Sequence, residues 1–557
     1  MTRPNEFGII EKTSKGVFSL ETTYVTGHRN PDTDSIVSAM AYAALRNALG
    51  DRGYIAARLG HISDETHMVL ERFGFEPPIY IHSVRTQVRD LNYDTPPALS
   101  PAATVSYAWS VLQADQSIPA VPVADEEGKL FGMLNPDDIA SFDISMIEHP
   151  VLENVPMFNL LSVLEGHELN ECLSPSDSVS GEVIIALPKA HNAPVFTGKD
   201  CILLCGQQDD IIRSAVEKGV RTLILCQAEI DPEVCAMQTE TRIISTPLDV
   251  TRASRLIYHA IPVGRICSKK EIPCFHLDDY LDDVREVLMQ NRHRSYPILD
   301  SEGCVVGTLS RYHLMNPRRK RVVLVDHNEI AQSVPGLEQA DLRAIIDHHR
   351  LADIQTGSPV YFRNEPVGST ATIIAGMYQE RGIVPTEKMA GLMAAAIVAD
   401  TVMFKSPTCT DRDRRMAETM ARIANISLDK LGYDIFSTAS GDGKTAEELI
   451  FTDFKEFHIA GNNLGIGQIT CIDSMHILER RGELLSIMRE TVQKKHYDMM
   501  LLMLTDVLKE GTQLLVIGDT SIIKQAFNVD VRDNTCFLPN VMSRKKQIVP
   551  MLSVLWG

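Results

Sequence analysis

Apolar residues along the chain fall into short runs and helical stripes, and polar clusters follow them at recurring places. Residues 21–27 read as a short strand, and the loop His28-Arg29-Asn30-Pro31-Asp32-Thr33-Asp34 follows directly. From Ser35 to Leu49 the apolar residues Ile36, Ala39, Met40 and Ala43 share one helical stripe, and Gly50 supplies the stop. The pattern predicts a strand, a loop and a helix. In an α/β sheet such a loop, beyond the C-terminal end of a strand, is where functional groups collect. The apolar runs Val322–Val325 and Ala344–Ile346 predict two more strands, ending at Asp326-His327-Asn328 and Asp347-His348-His349. Ser369 is a predicted N-cap, and an almost wholly apolar helix around Gly391–Ala399 ends in Asp400. A last α/β region spans about 440–557, with Leu514–Ile517 as its clearest strand and Ser437 to Lys444 as a linker.

Between the first strands and the second set the pattern changes. Residues 83–141 and 259–316 read as two copies of one module, each a helix followed by a strand, a turn and a strand. One ends in Ile118-Pro119-Ala120-Val121-Pro122-Val123 with a turn from Asp125 to Gly132. The other ends in Ser295-Tyr296-Pro297-Ile298-Leu299 with a turn from Asp300 to Gly307. Between the copies, Cys201–Gly206, a helix to Gly219 and Thr222–Leu225 predict a β-α-β unit.

The chain has 557 residues, which at roughly 150 residues per domain suggests about three to five domains. An apolar content of 44% is ample for several cores, yet runs such as Ala394–Ala399 and Met499–Leu504 are far too short to span a bilayer. With no leader pattern at the start, a cytoplasmic protein without membrane contact is expected. Eleven cysteines without CxxC spacing fit a reducing compartment. A formal charge of −19 disfavours nucleic acid as a partner, and an anionic substrate would need metals and local basic groups.

Acids and histidines stand at several element ends: His28, Asp32 and Asp34; Asp326; Asp347, His348 and His349; and Asp400. Taken singly, the first three could cap a turn and Asp326 a helix, and the histidine pair could be ordinary surface. Asp400 at the end of an apolar helix is harder to explain that way, because a buried unpaired carboxylate costs several kcal/mol. Together they form a donor set suited to Mn²⁺, Co²⁺ or Fe²⁺ more than Ca²⁺, with zinc not excluded by affinity order alone. Two ions about 3.5–4 Å apart, bridged by a carboxylate, can generate a hydroxide for attack at phosphorus. Lys455 and the run Ser543-Arg544-Lys545-Lys546 could clamp phosphate oxygens or be solvated surface. The Gly-rich stretch Gly461–Gly467 lacks the end of a Walker sequence and reads as a substrate-side loop.

Val25-Thr26-Gly27-His28-Arg29-Asn30-Pro31-Asp32-Thr33-Asp34-Ser35 resembles the first motif of the DHH phosphoesterases, in particular the manganese-dependent, family II inorganic pyrophosphatases. Val325–Glu329, Ile346–His349 and Val398–Thr401 are similar to the second, third and fourth motifs, and Ser543–Gln547 with the Lys455 segment to the C-terminal substrate domain. The resemblance implies an α/β, two-domain DHH-type catalytic fold: a parallel-sheet N-terminal domain and a mixed α/β C-terminal domain, interrupted by an α/β regulatory insert. It implies that His28 and Asp32 hold one Mn²⁺ or Co²⁺, that Asp34, His348 and Asp400 hold the other, and that Asp326 bridges them. His349 is then a general acid or an orienting group, Lys455, Arg544 and Lys545 bind phosphate oxygens, and Mg²⁺ arrives with pyrophosphate. The repeats resemble a CBS pair and the segment between them a DRTGG domain. That implies AMP and ADP as inhibitors, ATP or diadenosine polyphosphates as activators, and a homodimer through the CBS pairs. Asn135, Arg294, Tyr296 and Thr308 are the candidate nucleotide contacts. The first copy has Asn135-Pro136-Asp137-Asp138 where many CBS modules have Ser or Thr before the acid, the second lacks that Asp, and DRTGG is absent as a literal string.

The implied boundaries are 1–82 and 319–436 for the catalytic DHH domain, 83–145 and 259–318 for the CBS modules, 146–258 for the DRTGG-like domain and 437–557 for the DHHA2-type domain. The expected reaction is hydrolysis of pyrophosphate to two phosphates by a metal-bridged hydroxide, regulated by adenine nucleotides. Two alternatives are a DHH-type phosphoesterase on short polyphosphate or a cyclic dinucleotide, and a non-catalytic adenine-nucleotide sensor. Asp-His-Asn after the second strand and the basic tail favour pyrophosphate, and the full ligand set disfavours the sensor.

Overall fold

The computed structural model describes residues 22–170, 177–186, 200–237, 240–269, 272–437 and 444–556. Most of the linker expected between Ser437 and Lys444 lies outside them. The chain divides into two compact units, one of Met1–Arg85 with Arg319–Gly557 and one of Thr86–Arg318.

In the first unit, six parallel strands form one sheet. Their spatial order is Tyr361–Asn364, Asp341–Asp347, Arg321–Val325, Thr23–Thr26, Tyr54–Arg58 and Ile79–Tyr80. Thr23 pairs with Arg321 and Thr26 with Leu324, so strands almost 300 residues apart in sequence are direct neighbours. The apolar runs read from the sequence are the buried central strands. The helices Thr33–Ala48, Thr370–Glu380 and Glu387–Asp400 pack together in one core with Val25, Val323, Val325 and Ile346. The last of these helices is buried all round from Met389 to Val398, which explains its lack of a polar stripe.

The same unit contains a second sheet, in the order Phe454–Ile459, Asn462–Cys471, Met499–Asp506, Gly511–Ile517 and Thr535–Pro539. Only the second and third of these strands run parallel. The stretch Gly461–Gly467 is no loop. Gly461 turns a hairpin at φ 86°, and the rest is strand. A Cβ on Gly465 would lie 2.4 Å from the Phe454 ring, so the glycines there make room for close packing and do not form a ligand cradle. Lys405 donates to the Val507 carbonyl at 2.7 Å and joins the two sheets' domains.

The second unit contains both predicted repeats. Helix Val105–Ala114 precedes the hairpin Val121–Ala124 with Leu130–Leu134, and helix Leu281–Gln290 precedes Tyr296–Leu299 with Val305–Leu309. Their turns are built alike. Asp125 accepts from the backbone N–H groups of Glu127 and Lys129, Asp300 from those of Glu302 and Cys304, and Gly128 and Gly303 both sit at φ 83°. A six-stranded sheet lies between them in sequence, with Cys201–Cys205, Thr222–Cys226 and Arg242–Thr246 parallel at its centre. No helix among the described residues is long and apolar enough to cross a membrane, and their ten cysteines are all unbridged.

Gly391 offers a test of the catalytic core. A Cβ there would lie 2.2 Å from Cε1 of Phe73. Alanine favours a helix over glycine by about 1 kcal/mol, whereas overpacking a core costs about 1–3 kcal/mol. Gly391→Ala is therefore expected to lower the Tm of the catalytic unit by thermal melting. A raised Tm would show that the Phe73 contact is slack.

Candidate metal centre

Three adjacent strands end on the same edge of the parallel sheet and deliver most of the predicted residues. His28 lies two residues past strand Thr23–Thr26, Asp326 immediately follows Arg321–Val325, and Asp347 closes Asp341–Asp347. Asp34 belongs to the first turn of helix Thr33–Ala48, which Asp32 caps by accepting from Ser35 N–H at 2.9 Å. Asp400 is the last residue of its helix. Asp326 turns the chain with φ 63°, a left-handed conformation that aspartate adopts more readily than most residues.

Asp326 stands at the centre. Its Oδ2 is 3.4 Å from His28 Nε2, and its Oδ1 is 3.4 Å from His348 Nε2. One carboxylate therefore presents a different oxygen to each imidazole. Around the first, His28, Asp32 and Asp326 offer ligand atoms within 4.8 Å of one another, with His28 Nε2 3.4 Å from Asp32 Oδ2. Around the second, Asp34, His348 and Asp400 do the same, with His348 Nε2 3.5 Å from Asp400 Oδ2. His349 joins Asp326 and His348 in a third grouping.

The electrostatics fit cations at both places. Burial, with Asp326 beside it, pushes the Asp34 carboxyl up to about 7, and burial drives Asp400 well above the carboxylate range. Burial would hold His348 low, but the Asp326 and Asp400 carboxylates raise it well above its ordinary value. Asp400 Oδ2 is buried with no hydrogen-bond partner among the described residues. Every donor is a carboxylate oxygen or an imidazole nitrogen, the set that suits Mn²⁺ or Co²⁺.

Other groups orient these ligands. His348 Nδ1–H donates to the Val367 carbonyl at 3.0 Å, leaving Nε2 for the centre. Asp34 accepts from Ser369 Oγ at 2.8 Å and from the N–H groups of Thr370 at 2.6 Å and Ala371 at 3.0 Å. These belong to the N-terminus of helix Thr370–Glu380, where backbone dipoles favour negative charge. Thr370 Oγ1 donates to Asp326 Oδ1 at 3.0 Å. Asp347 is fully buried and takes no place in either trio. Its Oδ1 accepts from His349 Nδ1 at 2.9 Å and from the N–H groups of His348 and His349, while Asn328 donates to its other oxygen. Burial pushes His327 down to about 4, and its Nδ1–H donates to the Val325 carbonyl.

Lys455 lies close enough to Asp32 and His28 for its charge to act on both, and burial with Lys545 nearby lowers its own pKa. Arg544 is buried. Its guanidinium donates to Asp453 Oδ1, to the Asp453 carbonyl and to the Ile466 carbonyl at 2.8–2.9 Å. Lys545 is exposed in the same turn. In the second unit, Asn135 caps helix Pro136–Glu148, and Arg294 pairs with Asp137 at 3.2 Å, so residues of both repeats meet there. Tyr296 and Thr308 are fully buried in the second repeat, and neither hydroxyl has a partner among the described residues.

Sequence reasoning found all six acids and imidazoles of the two trios. It recognised Ser369 only as a cap and missed Thr370 and Ala371, whose bonds to Asp34 come from backbone N–H and carry no side-chain signal, and it missed the Thr370 hydroxyl on Asp326 as well.

Comparison with known proteins agrees with this geometry. The model of the DHH family, N-terminal domain, matches residues 22–397, and that of the DHHA2 domain matches residues 436–555. A cobalt-dependent inorganic pyrophosphatase of Clostridium perfringens is 38% identical, with 95% of this chain and 97% of that protein aligned. A probable manganese-dependent inorganic pyrophosphatase of Thermotoga maritima is 32% identical over 96% of this chain and 98% of its own. Among solved structures, the CBS and DRTGG domains of the regulatory region of Clostridium perfringens pyrophosphatase, complexed with the activator diadenosine tetraphosphate, align at 25% identity with a TM-score of 0.35. That alignment covers 40% of this chain and 99% of that one. With both domain models matched in order and relatives aligned over nearly the whole length, the chain belongs to the DHH family, among its cobalt- and manganese-dependent inorganic pyrophosphatases.

Proposed function

We propose that His28, Asp32 and Asp326 hold one Mn²⁺ or Co²⁺ ion and that Asp326, Asp34, His348 and Asp400 hold the other, at a site that hydrolyses pyrophosphate to two phosphates. The observation that carries this reading is the central carboxylate of Asp326, with one oxygen facing His28 and the other facing His348. When bound, such a pair of ions supplies Lewis-acid charge at phosphoryl oxygens and lowers the pKa of water. The side chains do the rest. Asp347 fixes the His349 ring through Nδ1, so Nε2 is free to hold or pass a proton at the reacting oxygens. Lys455 and Lys545 neutralise phosphate oxygens, and Mg²⁺ accompanies the substrate. Arg544 joins them as a phosphate ligand from the same turn. Its bonds to Asp453 and Ile466 hold that turn against the strand that carries Lys455. Family membership favours pyrophosphate over short polyphosphates and cyclic dinucleotides, and phosphate release from each measures the preference.

Regulation belongs in this proposal to the second unit. Its paired repeats bind adenine nucleotides, AMP and ADP as inhibitors and ATP or diadenosine polyphosphates as activators, near Asn135 and Arg294. The proposed domain boundaries are 83–145, 146–258 and 259–318 within this unit, 1–82 with 319–436 for the DHH domain, and 437–557 for the DHHA2-type domain. The protein acts in the cytoplasm as a homodimer through the repeats, where Met289 is 86% exposed. Sedimentation of the chain with and without 83–316 tests the dimer.

Three outcomes are expected. Asp326→Asn should lose most activity and at least one tightly bound ion, since a neutral amide cannot hold two cations together. Metal content and kcat check this, and full occupancy with near-normal kcat would refute the bridging role. His349→Gln should lower kcat by about 10²–10⁴-fold while both ions stay bound, whereas His348→Gln should lose metal. Equal metal loss in both variants would mean that the roles are wrongly divided. The third outcome concerns the insert. Lys320 Nζ donates to the Arg85 carbonyl at 2.9 Å, so the catalytic unit holds the two ends of the insert side by side. Replacing 83–316 by a short Gly/Ser bridge should leave an enzyme that hydrolyses pyrophosphate and ignores AMP, ATP and diadenosine polyphosphates. A coupling of 1–3 kcal/mol in the parent corresponds to roughly 5–150-fold in affinity. Titrations at constant free Mg²⁺ decide the matter, and an unchanged nucleotide response in the shortened enzyme would move the effector site to the catalytic domains.

A further inference from the structure

We propose that Asp413 is a positioning residue for one half of the metal centre, the trio Asp34, His348 and Asp400, and that it governs the affinity of the ion there without touching it. The inference rests on the two-ion reading above. Asp413 is fully buried in the first turn of helix Asp411–Ala424. As part of a capping box it accepts from the N–H and the hydroxyl of Thr410, both at 2.7 Å. Capping does not account for its other two bonds. Across more than 40 positions it also accepts from Gly368 N–H at 2.9 Å and from Thr372 Oγ1 at 2.6 Å. All four donors are neutral, two hydroxyls and two backbone N–H groups, so the carboxylate serves as a rigid four-point anchor.

What it anchors is the segment that orients the trio. Val367, next to Gly368, accepts from His348 Nδ1. Ser369, Thr370 and Ala371, on the other side of Gly368, donate three hydrogen bonds to Asp34. The third ligand is reached from the opposite direction. Thr401 follows Asp400 directly, and its methyl lies 2.7 Å from where a Cβ on Gly368 would stand. The loop that leaves Asp400 ends at Thr410, which Asp413 also holds. His348 and Asp34 are thus each one hydrogen bond and one residue away from a group fixed by Asp413, and Asp400 is followed by Thr401, which lies beside Gly368. The other half is built differently. His28 N–H donates to Ser35 Oγ, and Asp32 accepts from Ser35 N–H, so both depend on helix Thr33–Ala48 and not on Asp413. Thr370 of the anchored segment also holds Asp326, which the two halves share, but at Oδ1, the oxygen that faces His348.

Loss of a group that orients metal ligands typically weakens metal binding by about 10–100-fold. The test measures Mn²⁺ binding by equilibrium dialysis on the full chain, without substrate, in three backgrounds: the parent, His28→Gln and His348→Gln. In the parent, Asp413→Ala should weaken one of two ions by about 10–100-fold and leave the other unchanged. In His28→Gln it should weaken the remaining ion, and in His348→Gln it should not. Asp413→Asn keeps an acceptor for Gly368 and Thr410 and should retain most of the affinity. Gly368→Ala keeps the carboxylate in the sequence but sets a Cβ 2.7 Å from the Thr401 methyl and 3.1 Å from Asp413 Oδ2, forcing the segment off both, so it should reproduce the selective loss, and it serves as the readout if Asp413→Ala does not fold. Equal weakening of both ions, a loss in the His348→Gln background, or parent affinities throughout would overturn the role of Asp413 and leave the two-ion reading standing. A parent chain that binds fewer than two ions would instead overturn that reading, and this inference with it.

Discussion

Four carboxylates, those of Asp32, Asp34, Asp326 and Asp400, converge with two imidazoles at one edge of a parallel sheet, and mutual repulsion is the constraint that the surrounding structure must meet. Two like charges about 4 Å apart repel by roughly 4 kcal/mol at an effective dielectric of about 20. Burial, with this repulsion added to it, pushes Asp34 and Asp400 up. Positive charge is supplied from several directions. The N-terminus of helix Thr370–Glu380 points two backbone N–H groups at Asp34, and His28 and His348 flank Asp326. Lys455 acts from the second sheet. None of these cancels the whole charge, and two divalent ions would.

The position of Asp326 follows from the same constraint. A bridging group must stand between two ligand sets, and only the middle one of three neighbouring strands ends there. Strand Arg321–Val325 lies between Thr23–Thr26 and Asp341–Asp347, and the left-handed turn at Asp326 brings its carboxylate back over the sheet edge. The strand begins three residues after Arg318, the end of the second unit. The chain returning from the insert therefore runs through the seven residues 319–325 into the central ligand. A second route runs through Gly336, where a Cβ would lie 2.5 Å from Arg85, and through Ser333, whose carbonyl accepts from Arg29 beside His28. Both connections are short and link the junction to residues at the metal centre.

Legibility differed with the kind of signal. Buried strands announce themselves by solid apolar runs, so Val322–Val325 was placed to within a residue and the end of Ala344–Ile346 likewise, while the more polar start of that strand, Asp341 to Arg343, carried no such run. The repeats were visible because the same pattern, an apolar strand and then a turn from Asp125 to Gly132 or from Asp300 to Gly307, recurs in both. The Gly-rich stretch 461–467 misled because glycine signals both loops and close packing, and only the facing Phe454 ring distinguishes them. Tyr296 and Thr308 were named as nucleotide contacts on the resemblance to a CBS pair, and the fold turns both inward.

The amino-acid sequence by itself determined the chemistry of this protein: which residues can bind metal, that they follow strands, and that an insert separates them. Those properties are local, set by side-chain type and by periodicity over a few residues. Tertiary structure alone decided that Asp326 faces His28 with one oxygen and His348 with the other, that Asp347 orients His349 and stays out of both trios, and that Asp413 anchors the segment around Gly368. Apart from the pair Asp347 and His349, such contacts join positions tens to hundreds of residues apart, often through backbone N–H groups that every residue except proline possesses. No local pattern encodes them, because they exist only when the sheet has set its strands side by side.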